Sequence, residues 1–168
     1  MRDIKNAIVK ALHEYMAIPI VPTDTADRKP GYPYISYKIT TSHEAETFSL
    51  VDNLVDNIVP SLSERFNYDV EVIRKEQAHF TLSISVYSDN DDTAMALAYK
   101  ARDWFKFSGY FYMVDMNIVV VNTTNITDRT QRLIDEFEWR YGFDVRIRAA
   151  RDITKRVETI EEYNFNKL

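Results

Sequence analysis

The sequence predicts an α+β fold, in which a mostly antiparallel β-sheet with two or three helices packed on it forms a single domain over residues 1–168. A length of 168 residues suits one domain with a sizeable core. The helical spacing of apolar residues and the two-residue alternation of strands both recur along the chain. The 11 Tyr, 9 Phe and 2 Trp residues exclude a wholly disordered chain.

The first helix is predicted between Arg2 and Met16. Its apolar residues fall three or four positions apart and so share one stripe, which consists of Ile4, Ala7, Ile8, Ala11, Leu12 and Tyr15. Four prolines between residues 19 and 33 then predict an extended surface arm, because proline fixes φ and has no N–H to donate to a strand ladder. The β-branched and aromatic residues of the stretch 34–40 predict a strand after this arm.

Residues 41–66 are predicted to contain a short helix that ends near Val59. Leu50, Leu54 and Ile58 recur at helical spacing until Pro60 interrupts the pattern. The segment has five acidic residues and one arginine, a net charge of −4. We expect most of this charge to lie on a solvated face opposite the leucines.

A β-hairpin is predicted next. Apolar and polar residues alternate over 78–87, as in a half-buried strand. We interpret residues 69–75 as the antiparallel partner of this strand, with the turn at Glu76 and Gln77.

The second long helix is predicted to begin at Ser88. This serine stands three residues before Asp91, which is the spacing of a capping box, and the neighbouring acidic residues suit the positive end of a helix dipole. The apolar stripe continues to Phe105. Gly109 follows where helices often end on a residue in the left-handed conformation.

The C-terminal part is predicted to form strands. The continuous apolar run 116–121 indicates a strand covered on both faces and central in the sheet, and a polar turn follows over 123–128. Apolar residues then occupy every second position from Phe137 to Ile147. At about 3.3 Å per residue the strand 137–148 would reach about 40 Å, so we expect it to bend at Gly142 or to project beyond the domain.

Two parts of this region are interpreted from weaker patterns. Residues 130–137 fit a helical period through Leu133, Ile134 and Phe137, so helix and strand both stay open there. Residues 157–165 are predicted to return as a final strand.

No catalytic, cofactor or metal site is predicted. The chain has no cysteine, which excludes disulfides, thiolate metal sites and thiol nucleophiles. Its 3 glycines are too far apart for a phosphate-binding loop, and there is no GxSxG motif. His13, His43 and His79 are 30 or more residues apart and form no local metal pair. We therefore expect no enzyme activity.

The sequence also argues against a membrane protein. The N-terminus leads into mixed polar sequence, and no apolar run approaches the roughly 18 residues that span a bilayer. We expect neither a signal peptide nor a membrane segment. The net charge of −5 argues against a general affinity for nucleic acid, because phosphates would be repelled on average.

The strongest candidate for a functional site is a basic segment. Residues 140–156 have six basic and two acidic side chains, a net charge of +4 in a chain whose total is −5. An ordinary solvated strand face would explain this segment equally well. Arginine also binds carboxylates with a bidentate fork and is enriched at interfaces, which favours a docking surface. The candidate interface residues are Glu138, Arg140, Asp144, Arg146, Arg148 and Arg151.

Several strings together resemble a known family. They are Asp128-Arg129-Thr130, Glu138-Trp139-Arg140-Tyr141-Gly142-Phe143-Asp144-Val145-Arg146-Ile147-Arg148 and Val157-Glu158-Thr159-Ile160-Glu161, together with Tyr32-Pro33-Tyr34-Ile35-Ser36-Tyr37 and the stretch 82–105. The sequence is similar there to the neck or tail terminator proteins of tailed bacteriophages. Residues 41–66 lie outside the resemblance, and we interpret them as an insertion particular to this chain.

The resemblance implies a structural virion protein at the neck, the head-proximal end of the tail, assembled in the host cytoplasm. It implies a hexameric ring that stops the growth of the tail tube and joins it to the head–tail connector protein. The partners would be further copies of the chain, the tail tube protein and the connector. Genomic DNA would pass through the lumen without specific binding, and no cofactor or membrane would be involved.

Three alternatives stay open from the sequence. The chain could be a head-completion or connector protein of the same virion, or a nucleic-acid-binding module that uses the basic segment. The second of these lacks aromatic residues on the arginine face to stack single-stranded bases. A small enzyme whose site forms only in the fold is the third.

Overall fold

The computed structural model describes residues 2–24, 29–45, 54–64, 66–132 and 137–158, and it has the predicted α+β architecture. The helices are α1 (Arg2–Met16), α2 (Asp91–Asp103) and α3 (Tyr110–Asp115), with a π-helical turn (Trp104–Ser108) between the last two. The strands are β1 (Ile20–Pro22), β2 (Tyr34–Ala45), β3 (Leu54–Pro60), β4 (Tyr68–Ser88), β5 (Ile118–Thr123), β6 (Thr127–Asp128), β7 (Gln131–Arg132) and β8 (Phe137–Glu158).

The chain divides into two compact units. The first comprises residues 1–44 and 78–149, and the second comprises residues 45–77 and 150–168. The strand order is β1-β2-β4-β8-β5, with β1 parallel to β2 and β5 antiparallel to β8. The short strands β6 and β7 also pair with β8, and β3 pairs with β4.

The core of the first unit lies between its helices and one face of the strands. Alternate positions of β4 and β8 point into it, as the strand periodicity predicted. The predicted bounds of α1 are confirmed, and this helix buries its apolar stripe. The largest fully buried side chains include Ile8, Leu12, Ile35, Phe80, Leu82, Ile84, Met113, Ile118, Phe143 and Ile147.

The prediction of a helix ending near Val59 was wrong for residues 54–60. These residues form β3, which pairs antiparallel with β4 from Leu54 opposite Arg74 to Pro60 opposite Tyr68. Residues 46–53, which held the rest of that predicted helix, lie outside the described residues. A short apolar run fits both a helix and a strand period, and here antiparallel pairing with the next strand along the chain decides.

The predicted hairpin was also wrong, because β4 is one continuous strand of 21 residues through Glu76 and Gln77. Neither residue readily adopts the positive φ that a two-residue hairpin turn requires. The antiparallel partner of the N-terminal part of β4 is β3 instead.

The helix predicted from Ser88 begins three residues later, at Asp91. Its N-cap is Asn90, whose side chain accepts a hydrogen bond from the backbone N–H of Thr93 at 3.0 Å. Gly109 has φ of −88°, so its predicted left-handed conformation was wrong, and the unpredicted α3 follows it. The left-handed residue is Asn117, with φ of 54°, after α3.

The strand predicted at the centre of the sheet forms β5, which lies at its edge. Ile118 is buried in the core, whereas Val119 and Val121 are exposed. A continuous apolar run is typical of a doubly covered strand, but in β5 it instead supplies a core face and an exposed apolar face.

The remaining predictions have mixed outcomes. The long strand is confirmed, and β8 extends it to 22 residues. The arm contains the unpredicted strand β1, which pairs with Ile35 to Tyr37 of β2. The helical alternative was wrong at residues 131–132, which form β7, while residues 133–136 lie outside the described residues. Most of the predicted final strand, residues 159–165, also lies outside them.

We expect Gly109→Ala to destabilise the protein by about 1–3 kcal/mol, the usual cost of overpacking. A Cβ at this position would lie 2.6 Å from Cε2 of the buried Trp104 ring. Gly31→Ala is the matched control, because a Cβ there meets nothing within 4 Å. Urea unfolding measures both, and equal stability of the two variants would contradict the packing role of Gly109.

Candidate assembly surface

The face of the strands opposite the helical core is polar and aromatic in the first unit. In β4, Ser83, Ser85 and Tyr87 alternate with the core residues, and in β8 the corresponding positions begin at Glu138 and Arg140. This surface, from here called the polar face, contains most of the candidate interface residues. Its side chains contact one another closely and come from distant parts of the chain.

Arg129 connects the two strands of the polar face. Its Nη1 donates hydrogen bonds to the hydroxyls of Ser83 and Ser85 at 3.1 and 3.2 Å. Its Nη2 lies 3.3 Å from Oδ1 of Asp144, so the same guanidinium also forms an ion pair with β8. A Cβ on Gly142 would lie 2.6 Å from Nη1 and 2.8 Å from the backbone oxygen of Ile84, and this strand position therefore favours a glycine.

Glu138 is buried, although the sequence alternation placed it on a solvated face. Its Oε1 accepts a hydrogen bond from the hydroxyl of Tyr32 at 2.9 Å and forms an ion pair with Nζ of Lys29 at 3.1 Å. Phe137, beside it, is exposed. The carboxylate is buried because these two residues before β2 supply the donors that a buried charge requires.

An aromatic stack lies beside this carboxylate. The ring centroids of Tyr32 and Tyr34 are 5.7 Å apart, and those of Tyr34 and Tyr87 are 4.6 Å apart with nearly parallel planes. The guanidinium of Arg140 lies 5.0 Å from the centroid of the Tyr87 ring and donates to Ser85 at 3.2 Å. Burial first and the Glu138 carboxylate second raise the pKa of Tyr34 well above its usual range, because both disfavour the tyrosinate anion.

Five of the six candidate residues have described side chains, and these five lie on the same side of β8. Glu138, Arg140 and Asp144 bind partners within the same chain and belong to the polar face. Arg146 is exposed and Arg148 is half-buried, two positions apart on the same side of β8. The backbone of Arg151 lies in β8, and the side chain of this residue is not among those that the structure describes.

Sequence reasoning did not assign Arg129, Lys29 or Tyr32 to this surface. Each lies in or beside a loop, far along the chain from its partners, and no periodic pattern connects them. The one available signal was Gly142, an isolated glycine within a strand pattern, which often marks a close approach of another group.

The polar face has little room for a ligand. A cavity of about 80 Å³ lies near Lys29, Tyr34 and Tyr87, well below the several hundred Å³ typical of ligand pockets. Within the described ranges, no three His, Cys, Asp or Glu side chains are grouped as a metal site needs. No helix in the part of the chain that the structure describes is long and apolar enough to span a membrane.

The hydrogen bonds of the polar face connect strands and loops of the first unit, and Arg146 is exposed further along β8, an arrangement typical of a structural and binding protein. The family comparison agrees with this class. Residues 6–167 match the model of the family described as phage neck terminator protein, and the chain belongs to this family of structural virion proteins of the bacteriophage neck. A search of curated proteins found no match.

We expect Arg129→Met to destabilise the protein by about 2 kcal/mol, since charge-assisted hydrogen bonds contribute about 1.5–3 kcal/mol and this guanidinium is only partly buried. Lys38→Met is the matched control, because it removes a solvent-exposed ion pair with Asp24 and should change the stability by less than about 1 kcal/mol. Urea unfolding compares the two variants. A similarly small effect of both would show that Arg129 does not connect the strands energetically.

Proposed function

We propose that this protein is the tail terminator of its phage. It forms a hexameric ring on the head-proximal end of the tail tube, stops the growth of the tube and joins it to the head–tail connector. The observation that carries the proposal is the family match over residues 6–167. A closed ring needs contacts between unlike surfaces, and the separation of acidic and basic segments in this chain supports such contacts.

The basic segment is proposed as the contact with a neighbouring subunit or with the tube protein. The positive charge that would bind acidic partners comes from Arg146, Arg148 and Arg151. The part of β8 before them is held in place by the contacts of Glu138, Arg140 and Asp144. A net charge of −5 over the whole chain supports the passage of genomic DNA through the lumen without specific binding. The role is structural, with no catalysis, and the whole chain acts as one assembly module in the virion.

The contacts of Arg140 favour docking to protein over binding to nucleic acid. A module for single strands stacks bases on exposed aromatic rings beside its arginines. The ring beside Arg140 is that of Tyr87, which is buried and already stacked on Tyr34.

A head-completion or connector protein, another of the alternatives, differs from the terminator in its position within the neck, so imaging separates the two. Cryo-electron microscopy of tails should show one ring of this chain at the head-proximal end of the tube.

We expect a phage carrying Arg146→Glu and Arg148→Glu to make normal heads and tail tubes of uncontrolled length. Like charges facing each other in an interface cost several kcal/mol, and each 1.4 kcal/mol is about tenfold in affinity. Electron microscopy measures the tube lengths. Normal lengths and normal infectivity would refute the role of these arginines.

Two controls accompany this phage variant. Lys10→Glu with Lys75→Glu makes the same change in net charge at exposed positions on α1 and β4, and it should leave tube length normal. Val145→Asp places an unpaired charge in the core, because Val145 is fully buried, and this variant should not fold. Comparison of the arginine variant with this unfolded variant distinguishes loss of docking from loss of folding.

A further inference from the structure

A groove of about 440 Å³ opens beside β5 at the edge of the sheet. The π-helical turn and α3 form one wall through Phe105, Lys106, Tyr110 and Met113, and residues 118–123 of β5 form the other. Several apolar side chains that line it are exposed, namely Tyr110, Val114, Val119 and Val121. An exposed apolar surface of this kind is typical of a binding site for another protein segment.

The strand in this groove has an unprotected edge. In the described part of the chain, β5 pairs with β8 alone, so its other side presents backbone N–H and C=O groups. Proteins usually protect such an edge with charged residues or proline, yet β5 contains only Ile, Val, Asn and Thr. β1, at the other end of the strand order, ends in Pro22 and so has one of the residues that protect an edge. An edge of this composition is well suited to accept an additional strand.

We propose that β3 of a second copy of this chain adds to β5 and fills the groove. Among the described residues β3 pairs with β4 alone, and its 7 residues match the 6 of β5 in length. Leu54 and Ile58 are exposed and share one face of β3, where they supply apolar side chains. Asp56 lies between them on that face and complements the charge of Lys106 in the groove.

This contact joins two unlike edges, and it is therefore heterologous. Each copy that gives β3 to one neighbour keeps β5 for another, so the contact repeats from copy to copy, and it forms a ring when the rotation between copies closes. The inference rests on the proposed terminator function, because it names the contact between subunits of the ring.

Cross-linking tests the contact directly, because the chain has no native cysteine. We expect particles assembled with Val121→Cys and Ile58→Cys in one chain, treated with a short bismaleimide, to give a ladder of covalent oligomers on a denaturing gel. Val121→Cys with Tyr99→Cys is the matched control, because Tyr99 is exposed on α2 and does not line the groove. This control should run as a monomer.

Each other outcome has a defined meaning. A ring seen by cryo-electron microscopy without the ladder would overturn the β3–β5 contact and leave the terminator function standing. Dimers from Val121→Cys alone would show that two β5 edges pair, and a cross-link to a different virion protein would show that another strand occupies the groove; both would overturn the proposal. A ladder in particles without a terminal ring would support the contact and refute the proposed function.

Charge reversal gives an independent readout of the same contact. Lys106→Glu alone and Asp56→Lys alone should each reduce the yield of the ladder. The two reversals together in one chain should restore it, since the opposite charges again face each other. Failure of the double variant to recover the yield, with each single variant reduced, would overturn the pairing of these two residues.

Discussion

The guanidinium of Arg129 holds together the polar side of the first unit. It reaches across Gly142, bonds to two serines of β4 and pairs with Asp144 of β8. These strands already share the apolar core on their opposite face, so both faces of their central part are covered. Polar groups that are partly removed from water need partners, and this arginine donates to two serines and pairs with Asp144.

The polar face also determines which part of β8 is available to other molecules. Near its start, Glu138 and Arg140 bind Tyr32, Lys29, Ser85 and the Tyr87 ring. Further along, Arg146 is exposed. The hydrogen bonds near the start of β8 fix that part of the strand, and the exposed side chain of Arg146 extends from the same face further along.

The exposed apolar residues of the chain lie in places that suit assembly. β5 and β3 are each paired on one side among the described residues, and each exposes large aliphatic side chains. Such edges carry a risk of aggregation in a protein that stays free. The subunit contact proposed above would cover both edges, and membership of the phage neck terminator family is consistent with such an assembly.

The sequence by itself determined the elements whose pattern is long and strongly periodic. The limits of α1, the strand over 78–87 and the alternation from Phe143 to Ile147 follow from local spacing, because each buries a continuous apolar stripe in one core. The absence of cysteine and the charge of residues 140–156 likewise need no structure. The strings from 128 to 148 also indicated the family.

Only the tertiary structure decided the short and the polar elements. Leu54 to Pro60 fits a helix or a strand equally well, and pairing with β4 makes it a strand. The same local pattern could not show that β5 lies at an edge or that Glu138 is buried on the polar face. The ion pair of Glu138 joins it to Lys29, 109 residues away in the sequence, and the burial of a charge depends on such partners rather than on its neighbours in the chain.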